Sequence, residues 1–303
     1  MGERYVELVE VGPRDGLQNE KETLAPEVRA ELVDRLADAG LPRIEAASFV
    51  NPKRVPQMAG AEEVFASIHH KEGVVYAGLA LNERGYTRCV EAGANEVRYA
   101  FPLTDEFARR NQNTSVKDAA RLAVRLKELA DRDGVRFSVT LSVAFGCPFE
   151  GEVRAERVLE VAREVAAPGP GEVVLADTVG VGVPSQVREL VSGLREIAPD
   201  GTAVGCHFHD TRNTGIANAV AAVESGASFL DASVGGTGGC PFAPRATGNV
   251  ATEDLVYTLH GMGYSTGVDL PALIGCADWL SEKLGKGLPG RLHKAGPFAP
   301  VAG

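Results

Sequence analysis

His207 and His209 stand two residues apart in the run His-Phe-His-Asp at 207–210. On an extended strand, residues i and i+2 face the same side, so both imidazoles project together while Phe208 points away. Two imidazoles about 7 Å apart along a strand can share one ion. Taken alone, such a pair is more often an ordinary core or surface feature. Two further segments offer oxygen donors: Asp15 in GPRDGLQNE (12–20) and Asn249 in TGNVATED (247–254). Asp15, His207, His209 and Asn249 together supply two nitrogens and two oxygens. Mixed N/O ligation without thiolate suits Mg²⁺ or Mn²⁺ first, and also admits Zn²⁺ or Co²⁺.

Other residues carry complementary chemistry. Arg14, permanently cationic and able to donate two parallel hydrogen bonds, suits a developing enolate or carboxylate. Cys240 follows the glycines of GGTGGCPF (235–242) and is the cysteine placed to meet a ligand. Glycines there let the backbone approach a ligand or close over it. Asp177, in ADTVGVG (176–182), could accept a proton or hold a water; equally it could bind the loop backbone. Cys89 and Cys206 read as packing residues, and Cys147, in FGCPFEG, is open. No Ser-His-Asp set, nucleophile elbow or P-loop is evident.

These positions make one site only if the fold gathers them. Strand-like runs fall at about 4–11, 43–49, 74–81, 96–102, 136–144, 172–178, 203–208 and 229–234. Helical runs fall at about 26–39, 60–70, 83–92, 115–133, 153–166, 184–198, 213–225 and 251–262. Strict alternation calls for a parallel sheet, and eight units close into an α/β (β/α)8 TIM barrel. A doubly wound open sheet is the alternative. Residues 268–285 read as extra C-terminal helices. The expectation is one catalytic domain over 1–303, with the barrel at about 4–265 and a helical extension and tail at about 266–303. Closure sets the seventh strand beside the eighth and the eighth beside the first, bringing Asp15, His207, His209 and Asn249 to the C-terminal rim. Charges inside barrel strands are costly unless paired or metal-bound. Arg98 and Asp231 read as an internal ion pair or as strand-end charges. Glu45, Asp177 and His207 read as site residues.

Composition bounds the rest. The chain has 303 residues, a net charge of −10 and 44% hydrophobic residues. That is ordinary for a globular protein and argues against a coat for nucleic acid or anionic membrane. Five scattered cysteines without a CxxC pair, and no leader or apolar span, point to the cytoplasm.

GPRDGLQNE (12–20), IEAASFVNPKRVPQM (44–58), FGCPFEG (145–151), ADTVGVG (176–182), HFHDT (207–211), GGTGGCPFAP (235–244) and TGNVATEDLVY (247–257) together resemble the hydroxymethylglutaryl-CoA lyase family. That family comprises metal-dependent TIM-barrel carbon–carbon lyases, and the likeness runs from about residue 5 to residue 270. It implies a divalent metal on Asp15, His207, His209 and Asn249, with Arg14 and Cys240 catalytic and Glu45 and Asp177 as further site residues. It implies an acyl-CoA substrate, acetyl-CoA and a keto acid as products, and the setting of leucine degradation and ketone bodies. Gln18, Lys21, Ser48, Asn111, Thr140 and Thr178 are candidates for substrate or CoA contacts, with Lys53 and Arg54 for the CoA phosphates. The apolar C-terminal helices offer a homodimer surface.

Three segments depart from the family pattern. Phe208 stands where members that cleave hydroxymethylglutaryl-CoA carry Cys, Arg212-Asn213-Thr214 where they carry Tyr-Gly-Gln, and Thr140 where they carry a Tyr facing the acyl group. The expected substrate is a 3-hydroxy-3-methylglutaryl-CoA-like thioester; because a Thr leaves extra volume, the alternative is a bulkier 3-hydroxyacyl-CoA whose third substituent exceeds methyl. A Claisen synthase running in the opposite direction, and a non-catalytic metal- or CoA-binding barrel, are the competing functions.

Overall fold

The structure, a computed structural model, describes residues 4–169, 171–239 and 248–298. Eight strands form the barrel: β1 Glu7–Glu10, β2 Arg43–Ser48, β3 Val75–Leu79, β4 Glu96–Pro102, β5 Arg136–Ser142, β6 Gly171–Asp177, β7 Ala203–Phe208 and β8 Phe229–Ala232. Every neighbour pair is parallel, and β8 pairs back onto β1 with Asp231 beside Val9. The sheet is closed, which excludes the open doubly wound alternative. The run 4–11 is not one strand. Arg4–Tyr5 pairs with Tyr264–Ser265 outside the barrel, and only Glu7–Glu10 enters the wall.

The helices pack around this wall: α1 Pro26–Asp38, α2 Ala61–Ser67, α3 Glu83–Glu91, α4 Asp105–Gln112, α5 Val116–Asp133, α6 Ala155–Ala166, α7 Pro184–Ile197, α8 Gly215–Glu224 and α9 Thr252–Gly261. The long α5 shows why such segments are helical. Ser115 accepts the Asp118 N–H at its start, and Gly134 ends it at φ 68°. Val116, Ala119, Ala120, Ala123, Leu126 and Ala130 recur at spacings of three and four and are all buried. The helix α4 was not anticipated; it is one short two-turn piece inside the fourth crossover. After α9, the helix α10 at Leu270–Leu284 packs on α1 and α9 through Leu273, Cys276, Ala277 and Leu280. Among the described residues no helix is long and apolar enough to cross a membrane.

The barrel interior is ionic as well as apolar. Near the N-terminal end, Arg43 donates to Glu96 at 3.1 Å and pairs also with Glu7 and Glu172. One layer higher, Arg98 donates through Nη2 to both oxygens of Asp231, at 3.0 and 2.8 Å. The expected Arg98–Asp231 ion pair is thus present. The lower tier was not anticipated, although Glu7, Glu10, Arg43, Glu96 and Glu172 are charges inside expected strands just as Arg98 is.

Candidate active site

The end of β7 carries His207 and His209, and the turn after β1 carries Asp15. One nitrogen from each imidazole and one Asp15 oxygen all lie within 4.8 Å of one another. His207 Nε2 is 3.9 Å from Asp15 Oδ2, and the two rings are 5.2 Å apart. His207 Nδ1 lies 3.2 Å from Asp231 Oδ2, which fixes the ring and leaves Nε2 on the Asp15 side. Asn249 is bridged to His209 through the backbone. Its Nδ2 donates to Asp15 Oδ2 at 2.8 Å and to the Thr237 carbonyl at 3.0 Å. Its Oδ1 is buried and has no hydrogen-bond partner among the described residues, an acceptor that a cation would satisfy. Backbone must come close to hold this amide. Gly238 sits at φ 99°, and a Cβ there would fall 2.6 Å from Asn249 Nδ2. The donor set therefore fits a divalent metal ion. Burial alone would raise the Asp15 carboxyl; Arg14, the two histidines and the Asn249 amide outweigh it and hold Asp15 well below the usual carboxylate range.

Arg14 lies beside this ring. It donates through Nη1 to Asp15 at 2.5 Å and through Nη2 to Glu45 Oε2 at 2.7 Å. Glu45 is wholly buried at the middle of β2, so its contact here is Arg14 rather than solvent. Arg14, Asp15 and His209 open onto a cleft of about 910 Å³ on the C-terminal rim. Gln18, Asn111, Thr178 and Arg54 line the same cleft. Lys21 and Lys53 are exposed and do not line it. Ser48 is buried at the end of β2, its hydroxyl without a partner among the described residues. Thr140 shares a strand face with Ser142, which lines the cleft, and with Ser138, which donates to Glu96 in the barrel interior. It pairs in register with Ala100, another cleft residue.

Asp177 accepts from the Val181 and Gly182 N–H groups at 2.9 Å each and is fully enclosed. Of the alternatives open for it, the structure has it bound to its own loop; burial pushes its carboxyl up. Cys240 lies outside the described residues. Thr178, besides lining the cleft, accepts the N–H of Val143 at 2.9 Å. Val143 sits at φ 55°, a conformation that β-branched residues rarely adopt, just where β5 ends at the rim. Cys147 is buried with its sulfur 3.0 Å from Thr104 Oγ1.

Glu10, passed over in the sequence, ties the rim loops together. It accepts from Gly12 N–H at 2.7 Å, Val234 N–H at 2.9 Å and Thr252 Oγ1 at 2.6 Å. Nearby, Glu253 accepts from Gly235 N–H at 3.0 Å. Burial pushes both carboxyls up to about 7. The folded protein keeps these protons where the unfolded chain has lost them. Their stabilising contribution is therefore full below about pH 4.5 and is lost as pH rises through about 7. We expect Glu253→Gln to flatten the fall of unfolding free energy between pH 5 and 7, by up to about 1 kcal/mol per pH unit. Urea melts across that range check this; an unchanged slope would mean that Glu253 is already ionised in the fold.

The chain matches the HMGL-like family model over residues 5–279. It is 45% identical to the (R)-citramalyl-CoA lyase of Chloroflexus aurantiacus, over 97% of this chain and 96% of that protein. It is 44% identical to the 3-hydroxy-3-isohexenylglutaryl-CoA/hydroxy-methylglutaryl-CoA lyase of Pseudomonas aeruginosa, over 96% and 97%. An HMG-CoA lyase structure from Acinetobacter baumannii, in complex with coenzyme A and 3-methylmalate, superposes with a TM-score of 0.92 at 36% identity, covering 98% of each chain. The chain belongs to the HMGL-like family and is a carbon–carbon lyase of the kind that acts on CoA thioesters.

Proposed function

We propose that the protein cleaves a 3-hydroxy-3-methylglutaryl-CoA-like thioester to acetyl-CoA and a keto acid, acetoacetate when the substrate is hydroxymethylglutaryl-CoA itself. The observation that carries this is the convergence of Asp15, His207, His209 and the unpartnered Asn249 oxygen beside Arg14 at one cleft. In the retro-Claisen step the C2–C3 bond breaks and its electron pair passes to the thioester enolate. The C3 hydroxyl loses its proton and becomes the new carbonyl. A divalent ion, Mg²⁺ or Mn²⁺ by donor chemistry, held by Asp15, His207, His209 and Asn249, supplies the Lewis acidity that lowers the pKa of that hydroxyl.

The chain's own groups do the rest. Arg14 lies where negative charge grows on the thioester oxygen. Glu45 holds the Arg14 guanidinium in place. Asp177 is the candidate acceptor of the hydroxyl proton; His207, with Nδ1 on Asp231 and Nε2 turned to the metal position, has no nitrogen left to take it and acts as a ligand. Asp177 spends both oxygens on its loop, so it takes the proton only if that loop shifts. Cys240 delivers a proton to the enolate carbon, its thiol being a usable acid at neutral pH. Gln18, Asn111, Thr178 and Arg54 contact the acyl chain and CoA.

We infer further that the substrate's third substituent can exceed methyl. Ala100, which lines the cleft, stands in register with Thr140, and both side chains are small. A relative's isohexenylglutaryl-CoA activity fits the same reading. The reading takes the chain as one catalytic domain, and its further expectations are a cytoplasmic setting and a homodimer, checked by cell fractionation and light scattering.

The test is an assay of acetyl-CoA release from hydroxymethylglutaryl-CoA, citramalyl-CoA and longer 3-alkyl homologues with Mg²⁺ or Mn²⁺. Release that EDTA abolishes is expected, with kcat/KM for at least one non-methyl homologue equal to or above that for hydroxymethylglutaryl-CoA. No release from any thioester overturns the lyase reading, and a strict methyl preference overturns the substrate inference. Parent-level turnover by Cys240→Ala would remove the proton-donor role.

A further inference from the structure

Behind the rim residues lies a second tier that none of them reveals alone. His207 is held from behind by Asp231, and Arg14 is held from behind by Glu45. The two carboxylates meet at one guanidinium. Arg98 Nη2 donates to both Asp231 oxygens, at 3.0 and 2.8 Å. Arg98 Nη1 lies 3.8 Å from Glu45 Oε2, the same oxygen that accepts from Arg14. Its Nε lies 3.8 Å from Glu96 Oε1, which links the tier to Arg43 below.

Arg98 is only 2% exposed and does not line the cleft, so it touches no substrate. Its position nevertheless governs three buried carboxylates. Remove it, and Asp231 keeps only His207 as a basic partner, Glu45 only Arg14 and Glu96 only Arg43, with no guanidinium between the three. Like charges there repel or take up protons. Asp231 and Glu45 would then lose the orientation that Arg98 gives them, and with it the angle at which they meet His207 and Arg14. The planar guanidinium hydrogen-bonds Asp231 through Nη2 while its Nη1 and Nε keep a fixed 3.8 Å from Glu45 and Glu96, a spread of charge that a lysine ammonium cannot reproduce.

We propose that Arg98 is a positioning residue that couples the two halves of the site, setting the His207 ring through Asp231 and the Arg14 guanidinium through Glu45. This rests on the metal and enolate roles given above to His207 and Arg14.

The test compares Arg98→Met, Arg98→Lys and Asp231→Asn in the full chain. Mn²⁺ affinity is measured by titration calorimetry, kinetics with hydroxymethylglutaryl-CoA, and stability by melting. Arg98→Met should weaken Mn²⁺ about 10- to 100-fold, the range seen when a partner behind a metal-ligating histidine is lost. Its kcat should fall more than that of Asp231→Asn, because Arg14 is loosened too, with KM within about threefold. Arg98→Lys should fall between parent and Arg98→Met on both readouts. Adding Asp231→Asn to Arg98→Met should weaken Mn²⁺ little further, as expected of groups acting in series.

A variant that melts earlier but binds Mn²⁺ and turns over like the parent makes Arg98 merely structural and overturns the proposal. If Arg98→Met does not fold, parent-level Mn²⁺ affinity and kcat in Arg98→Lys overturn it just as firmly. His209→Ala separates the two levels. If it binds Mn²⁺ as the parent does, the metal reading itself fails. If it loses Mn²⁺ while the Arg98 variants keep it, only the positioning role fails.

Discussion

Arg14→Met lowers kcat by about 100- to 1,000-fold, the loss typical of removing one donor aimed at developing charge. KM changes little, because the interaction grows only as the C2–C3 bond breaks. The structure explains why no neighbour can substitute. The guanidinium is held on one side by Asp15 and on the other by Glu45, and only its remaining face opens to the cleft. Methionine keeps the length but leaves Glu45 buried without its hydrogen-bonded partner, Arg98 standing 3.8 Å away. Stability therefore falls too, by up to about 3–5 kcal/mol if the carboxylate stays ionised. Single-turnover kinetics on protein verified as folded separate the two effects. Arg14→Lys restores part of the rate, since it returns the charge without the paired donors. A kcat within threefold of the parent in Arg14→Met would remove Arg14 from the chemistry.

Asp15→Ala abolishes both Mn²⁺ binding at micromolar concentration and EDTA-sensitive turnover. Asp15 is the only carboxylate in the three-residue cluster among the described residues, so its loss removes the charge that makes the ring attractive to a cation. It also strands the Asn249 amide, which donates to it, and leaves Arg14 facing the two histidines. Calorimetric titration reads the binding, and the acetyl-CoA assay reads the rate. Unchanged Mn²⁺ affinity would mean that the ion binds elsewhere. The pH behaviour differs from that of Glu253. The Asp15 pKa is lowered, so its stabilisation is fully present above about pH 4 and is lost only as pH falls toward its folded value. Asp15→Asn should therefore leave the stability slope between pH 5 and 7 unchanged, whereas Glu253→Gln should alter it.

The barrel was legible because its strands and helices differ in period and alternate through all eight units, the added helix α4 aside. The meeting of Asp15 with His207 and His209 was legible because closure of such a barrel dictates neighbours. With β7 beside β8 and β8 beside β1, the turn holding Asp15 had to meet the end of β7. What stayed hidden was how each polar atom is spent. The sequence left Asp177 open between loop and chemistry, and only geometry shows both its oxygens on Val181 and Gly182. Glu10 was passed over because one glutamate next to a turn looks like any solvated turn residue. Its three donors come from positions 12, 234 and 252, which no local pattern connects. The break after Tyr5 was invisible for a similar reason. Arg4–Tyr5 finds its partner some 260 residues away at Tyr264–Ser265.

The stacked arginines inside the barrel carry a consequence for how this chain can change. Each of Arg43 and Arg98 answers to more than one acid, and both arginines are almost wholly buried. A lone replacement strands a charge, whereas exchanging both members of a couple for hydrocarbon of equal bulk can be neutral or better. Drift at these rungs should therefore proceed in matched steps, cation and acid together, while the outer surface drifts one residue at a time.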